Sequence, residues 1–290
     1  MSASLPSWLA KLYPFQPKRF DTGRGQMSYL DEGEGDVAVV MVHGNPTWSF
    51  YYRHLVLGLR DRIRCIAPDH LGCGLSDKPQ DFSYTLAEHI RNLRSLLDAL
   101  QLKRIHLIVH DWGGPIGLGA GLARPDQVGR VVILNTAAFA DTVVPLRIRL
   151  CRVPGLGEWL VRGFNGFAWP ATWMAVTVPL STDVKRGYLY PYNNWANRIA
   201  THRFVVDIPT GRGHVSDAAL AEVEAKLGLL REKPVQILWG GQDFCFNQHY
   251  FSRWQKILPA ARAEQFEGAG HYVLEDAPKQ ALERVSQFLL

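Results

Sequence analysis

Short apolar runs alternate along this chain with stretches whose apolar residues recur at helical spacing. Val37 to Val42 is a continuous apolar run, the pattern of a strand buried on both faces of a parallel sheet. Ile63 to Ala67, Ile105 to Val109, Val131 to Leu134, Val235 to Trp239 and Ala263 to Phe266 read as further strands, and Gln26 to Asp31 alternates as a half-buried strand does. Between them, Ser49 to Leu59 and Gly113 to Ala123 read as helices. Leu86, Ile90, Leu93, Leu97 and Leu100 repeat at the spacing that lays one helix face on a sheet. Ala277 to Leu289 closes the chain as an amphipathic helix, with Asp276 expected as its N-cap. Strand alternating with helix predicts an α/β fold, a largely parallel sheet with helices on both faces. Residues 1 to 20, with Trp8, Tyr13 and Phe15 among three prolines, read as an extended arm packed on that core.

Between about 140 and 230 the rhythm breaks and aromatic residues accumulate: Trp159, Phe164, Phe167, Trp169, Trp173, Tyr188, Tyr190, Tyr192 and Trp195. This segment is expected to be a helical cap inserted between two parts of one core, residues 1 to 139 and 231 to 290. A cap there would cover the C-terminal edge of the sheet, where open α/β folds keep their ligands. Its large apolar groups predict a hydrophobic, water-poor pocket, with most of the aromatics packing cap against core.

Composition narrows the class. At 290 residues with 47% hydrophobic and 20% charged residues, the chain can bury a sizeable core. No apolar run approaches the ~20 residues of a membrane span, and Met1 to Leu12 lacks a signal peptide's basic start and apolar stretch. A cytoplasmic protein is expected. Cys65, Cys73, Cys151 and Cys245 show no paired spacing and read as reduced thiols, not as disulfides or metal ligands. The net charge of +5 comes from scattered residues, so nucleic acid is not an expected partner. The glycine-rich stretch Asp69 to Asp77 has neither a dinucleotide fingerprint nor a phosphate-loop lysine and is expected to be structural.

Candidate chemistry gathers at three strand ends. Asp111 falls between the strand ending at Val109 and the helix beginning at Gly113, on the sharp turn where α/β-hydrolases hold a nucleophile. In many of them that residue is a serine, which attacks acyl carbon. A carboxylate instead suits displacement at an sp³ carbon, leaving an alkyl ester of the enzyme. As a plain helix cap Asp111 would need no partners, but partners follow in the expected order. Asp243 lies just beyond one predicted strand and His271 just beyond the last. Asp243 would hold one ring nitrogen of His271, and the other would face Asp111 and could activate water. The loop His43-Gly44-Asn45-Pro46 follows another strand, so the backbone N–H groups of Asn45 and Trp112 are expected to flank one small volume above Asp111. This set calls for no metal and no cofactor.

Val42-His43-Gly44-Asn45-Pro46-Thr47 together with His110-Asp111-Trp112-Gly113-Gly114 resembles the haloalkane dehalogenases, and the resemblance covers almost the whole chain. It implies an α/β-hydrolase fold: a mostly parallel eight-stranded sheet flanked by helices, with an inserted helical cap. It further implies Asp111 as nucleophile, His271 and Asp243 as the rest of the triad, and the Asn45 side-chain amide and Trp112 indole N–H as the pair that binds the leaving group. Related epoxide hydrolases carry an aromatic residue where Asn45 stands and use two cap tyrosines as acids. Thr136 stands where one dehalogenase subgroup places its triad acid, which leaves that role to Asp243.

A narrower resemblance rests on segments of both core and cap: Met27 to Gly33, Asn135 to Phe139, Pro191 to Ile199, Asp207-Ile208-Pro209, Asp243 to Phe246 and His271 to Asp276. These are similar to the β-lactone decarboxylases of bacterial long-chain olefin biosynthesis. That group implies conversion of cis-3,4-dialkyl-oxetan-2-ones to cis-alkenes and CO2, beside a thiolase, a reductase and a lactone synthetase. Three readings compete: the carbon–carbon lyase, a hydrolytic haloalkane dehalogenase using the same residues, and a catalytically dead binding or assembly module. The intact nucleophile, acid and histidine argue against the last.

Overall fold

The protein is described by a computed structural model covering residues 5–141, 144–210 and 213–290. Its sheet has eight strands in the order β1-β2-β4-β3-β5-β6-β7-β8. They are β1 (Lys18–Asp21), β2 (Gln26–Glu32), β3 (Val37–Val42), β4 (Arg64–Pro68), β5 (Arg104–His110), β6 (Val128–Leu134), β7 (Val235–Gly240) and β8 (Arg262–Phe266). From β4 to β8 every neighbouring pair is parallel; β2 runs antiparallel to β4, and β1 to β2.

Along β3, Ala38, Val40 and Val42 join one apolar cluster while Val39 and Met41 join another. That two-sided burial is why the strand is apolar at successive positions and does not alternate. Helices α3 (Leu86–Leu100) and α4 (Gly113–Gly121) cover the first face. On the second lie α1 (Ser7–Leu12), α2 (Arg53–Leu59) and α13 (Pro278–Leu289). The last turn before α13 is α12 (Val273–Asp276). Helix α11 (Gln248–Ile257) packs Tyr250, Phe251 and Trp254 into the first cluster.

Between β6 and β7 come α5 (Leu146–Leu150), α6 (Leu156–Glu158), a π-helical turn at Trp159–Gly163, α7 (Ala168–Met174), α8 (Thr182–Leu189), α9 (Ile199–Val206) and α10 (Asp217–Lys226). Helix α10 puts Leu220 and Val223 into the first core cluster, against α3 and α4. The two core clusters therefore reach past the sheet into this insertion.

Three local expectations are corrected. The N-terminal arm is not extended throughout: Ser7–Leu12 is helical and buries Leu9, and Lys18–Asp21 adds the edge strand. The stretch Ser49 to Leu59 is two helices, a 3-10 turn at Ser49–Tyr52 and then α2. Asp276 does not cap α13, whose N-cap is Ala277 without a side-chain bond. Its carboxylate instead accepts from the backbone N–H groups of Gly270, Thr177 and Val178, tying the insertion to the loop before His271. Three donors, two of them from a segment distant in the chain, outcompete one helix end.

Candidate active site

Strand β5 delivers Asp111 onto a turn so tight that its φ is +52°, a left-handed conformation rare for a residue with a side chain. Two glycines make the turn possible. A Cβ on Gly113 would collide with the Val42 carbonyl, and one on Gly44 would collide with the Asp111 carboxylate. The turn is held by the Asp111 N–H donating to Asn135 O at 3.1 Å and by the Thr136 hydroxyl donating to Asp111 O. With the backbone fixed, the carboxylate meets the loop after β3: the Asn45 N–H donates to Asp111 Oδ1 at 2.7 Å.

The other carboxylate oxygen faces the histidine. His271 Nε2 stands 3.7 Å from Asp111 Oδ2, and His271 Nδ1 is 2.7 Å from Asp243 Oδ2. Asp243 is itself held: Oδ1 accepts from the Cys245 N–H at 2.7 Å, and Oδ2 also accepts from Asn135 Nδ2 at 2.9 Å. His110 Nε2 pairs with His271 O at 2.9 Å, and the Phe246 ring stacks on the His271 ring. Burial pushes the Asp111 carboxyl upward, opposed by His271 and by the N–H groups of Trp112 and Asn45. For His271, burial alone would lower the pKa, but the charge and hydrogen bond of Asp243, with Asp111 behind, outweigh it and raise it above the ordinary histidine value.

Asn45, Asp111, Trp112 and His271 line one cavity of about 380 Å³, with Asp243 behind His271. Asn45 Nδ2 donates one of its two hydrogens to Thr201 O of α9 at 3.1 Å. Among the described residues no protein group accepts from the Trp112 indole N–H, while its ring packs on Phe204 at 5.3 Å. The rest of the wall is mostly apolar, including Val144, Ile148, Pro170, Met174, Val205 and Ile208, with Asp141 and Arg147 as its charged members.

The aromatic residues of the insertion do not build this cavity, and most of them do not pack the insertion against the core as expected. Of the nine, only Phe167 lines it. Tyr188 donates to Glu275 Oε1 at 2.5 Å, a carboxylate also bridged by Arg53, and Tyr192 donates to Thr47 O. Trp159, Phe164, Trp169, Trp173 and Trp195 are exposed, so they do not pack cap against core either. No cap tyrosine stands where an epoxide-opening acid would be needed.

Sequence reasoning missed Asn135. Its side chain bonds Asp243 and both the N–H and carbonyl of Gly240, while its backbone carbonyl takes the Asp111 N–H. One residue thus positions acid and nucleophile together. The available signal was an Asn directly after an apolar strand, where its amide has no surface role.

Residues 37–278 match the model of the α/β-hydrolase fold family. The chain belongs to that family. Its mostly parallel eight-stranded sheet flanked by helices is that of an α/β-hydrolase. The chain is 44% identical over 288 residues to the cis-3-alkyl-4-alkyloxetan-2-one decarboxylase of Shewanella oneidensis, covering 97% of this chain and 90% of that one. It is also 44% identical over 290 residues to the Xanthomonas campestris protein of the same name, covering 96% and 97%. Haloalkane dehalogenase 2 of Mycobacterium bovis is more distant, at 35% over 277 residues, covering 92% and 93%. Among solved structures, the haloalkane dehalogenase DatA of Agrobacterium tumefaciens superposes with a TM-score of 0.84 at 25% identity, covering 94% and 96%. Among the described residues no helix is long and apolar enough to cross a membrane.

Proposed function

We propose that this α/β-hydrolase is a carboxy-lyase that converts cis-3,4-dialkyl-oxetan-2-ones to cis-alkenes and CO2, with Asp111 as nucleophile, as a step of long-chain olefin biosynthesis. The observation that carries the reading is the state of Asp111: one carboxylate oxygen held by the Asn45 N–H, the other open to an apolar cavity. The greater identity to the two decarboxylases than to the dehalogenase supports the lyase over the hydrolase.

The chemistry balances without a co-reactant. Asp111 Oδ2 attacks the ring carbon that carries the lactone oxygen, and the carbon–oxygen bond breaks with its electrons passing to the departing carboxylate. The second Asn45 amide hydrogen and the Trp112 indole N–H stabilise that charge. Loss of CO2 then turns the carbon–carbon bonding pair into the double bond and expels Asp111 from its ester. Inversion followed by anti elimination gives the cis-alkene from the cis-lactone. Attack at the lactone carbonyl is the competing route.

Residues 140 to 230 serve as the cap in this reading, and the enzyme works in the cytoplasm beside those that make the lactone. A second reading, haloalkane dehalogenase, draws on the intact Asp243–His271 pair, because only hydrolysis of the alkyl ester needs an activated water. A cis-dialkyl β-lactone and a bromoalkane, each incubated with the enzyme, decide between them. Alkene from the lactone with little bromide from the bromoalkane is expected. Bromide release with hydroxy acid in place of alkene would reverse the assignment.

A further inference from the structure

The cap is apolar on both of its sides. On α5, Ile148 is buried on the cavity wall while Leu146 and Leu150 are 69% and 49% exposed. On α7, Pro170, Ala171 and Met174 line the cavity while Trp169 and Trp173 are 56% and 44% exposed, one ring edge-on to the other. The two helices adjoin, with Arg147 Nη1 3.9 Å from Met174 Sδ. Val153, Leu156, Trp159, Phe164 and Val178 continue the exposure. Nine of the sixteen large hydrophobics exposed among the described residues thus fall between positions 146 and 178. A helix that is apolar all round needs an apolar neighbour on each side, and so concentrated an exposed patch marks an interaction surface.

Charge selects the occupant. Arg147 and Arg149 are exposed between the leucines, Arg147 also reaching the cavity rim, and among the described residues neither forms an ion pair with a carboxylate; half-buried Arg152 follows, its charge facing Asp207. Between 144 and 181 the only acidic residue is Glu158, already paired with Arg162 at 2.6 Å. Arginine beside exposed tryptophan and leucine is the composition that seats a helix in a bilayer interface, the rings at headgroup depth and the cations on anionic phosphates.

We propose that the face formed by α5, α7 and the turn at Trp159–Phe164 docks on an anionic lipid bilayer, placing the cavity against the hydrocarbon layer. The surface features stand without the proposed reaction. If that reaction holds, docking gives an alkene with two long chains an apolar exit that water does not offer.

Flotation of the whole chain, without substrate, on phosphatidylcholine vesicles with and without phosphatidylglycerol tests this. The wild-type chain should float with the anionic vesicles and less with the zwitterionic ones, and salt should weaken the difference. Trp169→Gln with Trp173→Gln should lower the partition at least about tenfold, and Leu146→Glu with Leu150→Glu should do the same from the other helix. Arg149→Glu should cost about fivefold or more on anionic vesicles alone. None of these five side chains lines the cavity, so turnover of a water-soluble short-chain lactone and the thermal melting curve should stay as in wild type. A chain that stays off both kinds of vesicle, or variants that float as well as wild type, overturns the proposal. So does self-association in light scattering that the variants lose while flotation is unchanged, which would make a second copy the occupant. Flotation without alkene formation sinks the reaction and leaves the docking face; alkene formation without flotation does the reverse.

Discussion

On the floor of the cavity, Asp111 is gripped by hydrogen bonds: its N–H by Asn135 O, its carbonyl by the Thr136 hydroxyl, its Oδ1 by the Asn45 N–H. Asp243, behind His271, likewise hangs on the Cys245 N–H and on an asparagine that is pinned to Gly240. The roof is built differently. Helices α5 and α7 contribute aliphatic side chains without directional bonds to the site, and their largest rings face outward. A floor made of hydrogen bonds fixes one attack geometry, whereas a roof made of apolar contacts accommodates alkyl chains without reading them individually. The floor should therefore tolerate almost no substitution, and the roof should answer in degrees.

The largest break comes from Asp111→Ala. No neighbouring side chain can replace a covalent nucleophile, so turnover of lactone and haloalkane alike should fall by at least about 10⁴-fold, to background. Single-turnover assays on the folded variant check this, and residual activity within tenfold of wild type would remove the carboxylate from the chemistry.

Glycines sharpen the same contrast in stability. In Gly113→Ala the new Cβ would press on the Val42 carbonyl, backbone that cannot yield, and should cost about 3 kcal/mol. Gly163→Ala in the insertion between β6 and β7, where the nearest atom would be 3.8 Å away, should change stability by less than about 0.5 kcal/mol. Urea melts of the two variants compare them directly, and equal midpoints would deny that the elbow is the tighter region.

Asn45→Ala and Trp112→Phe should each slow the reaction on the order of 10²-fold, the cost of one donor to a departing anion. The loss should fall in kcat more than in KM, because the charge those donors meet develops only as the bond breaks. A change confined to KM would place the leaving group elsewhere.

What could be read in advance follows the same division. Val37–Val42 announced itself as a buried strand because both its faces are covered, and Asp111, Asp243 and His271 were legible in order because each lies in the loop or turn that follows a strand. Asn135 was hidden since its task, bridging Asp243 and Gly240, exists only once β6 and β7 lie side by side. Asp276 looked like a helix cap for the same reason: its partners Thr177 and Val178 lie about a hundred residues away in the chain. The cap's aromatic content was plain, but composition carries no direction. Only the structure shows that Trp169 and Trp173 face outward, neither lining the cavity nor packed against the core as expected.

The smallest expected signal is an absence, and it tests whether the floor acts once or twice. In a dehalogenase, water activated by His271 attacks the Asp111 ester at its acyl carbon, so one solvent oxygen enters the carboxylate each cycle. His271 Nε2, 3.7 Å from Asp111 Oδ2 and backed by Asp243, stands where such a water would be held. In decarboxylative elimination the carbon–oxygen bond breaks on the alkyl side, and Asp111 keeps both of its oxygens. Many turnovers in ¹⁸O-water, followed by mass spectrometry of the peptide containing Asp111, should show no label with a β-lactone and label with any haloalkane that reacts. His271→Ala should accordingly impair bromide release more than alkene release, since only the first consumes an activated water. Label that accumulates in Asp111 in step with alkene would mean that the ester is opened by water, and elimination from it would have to be abandoned.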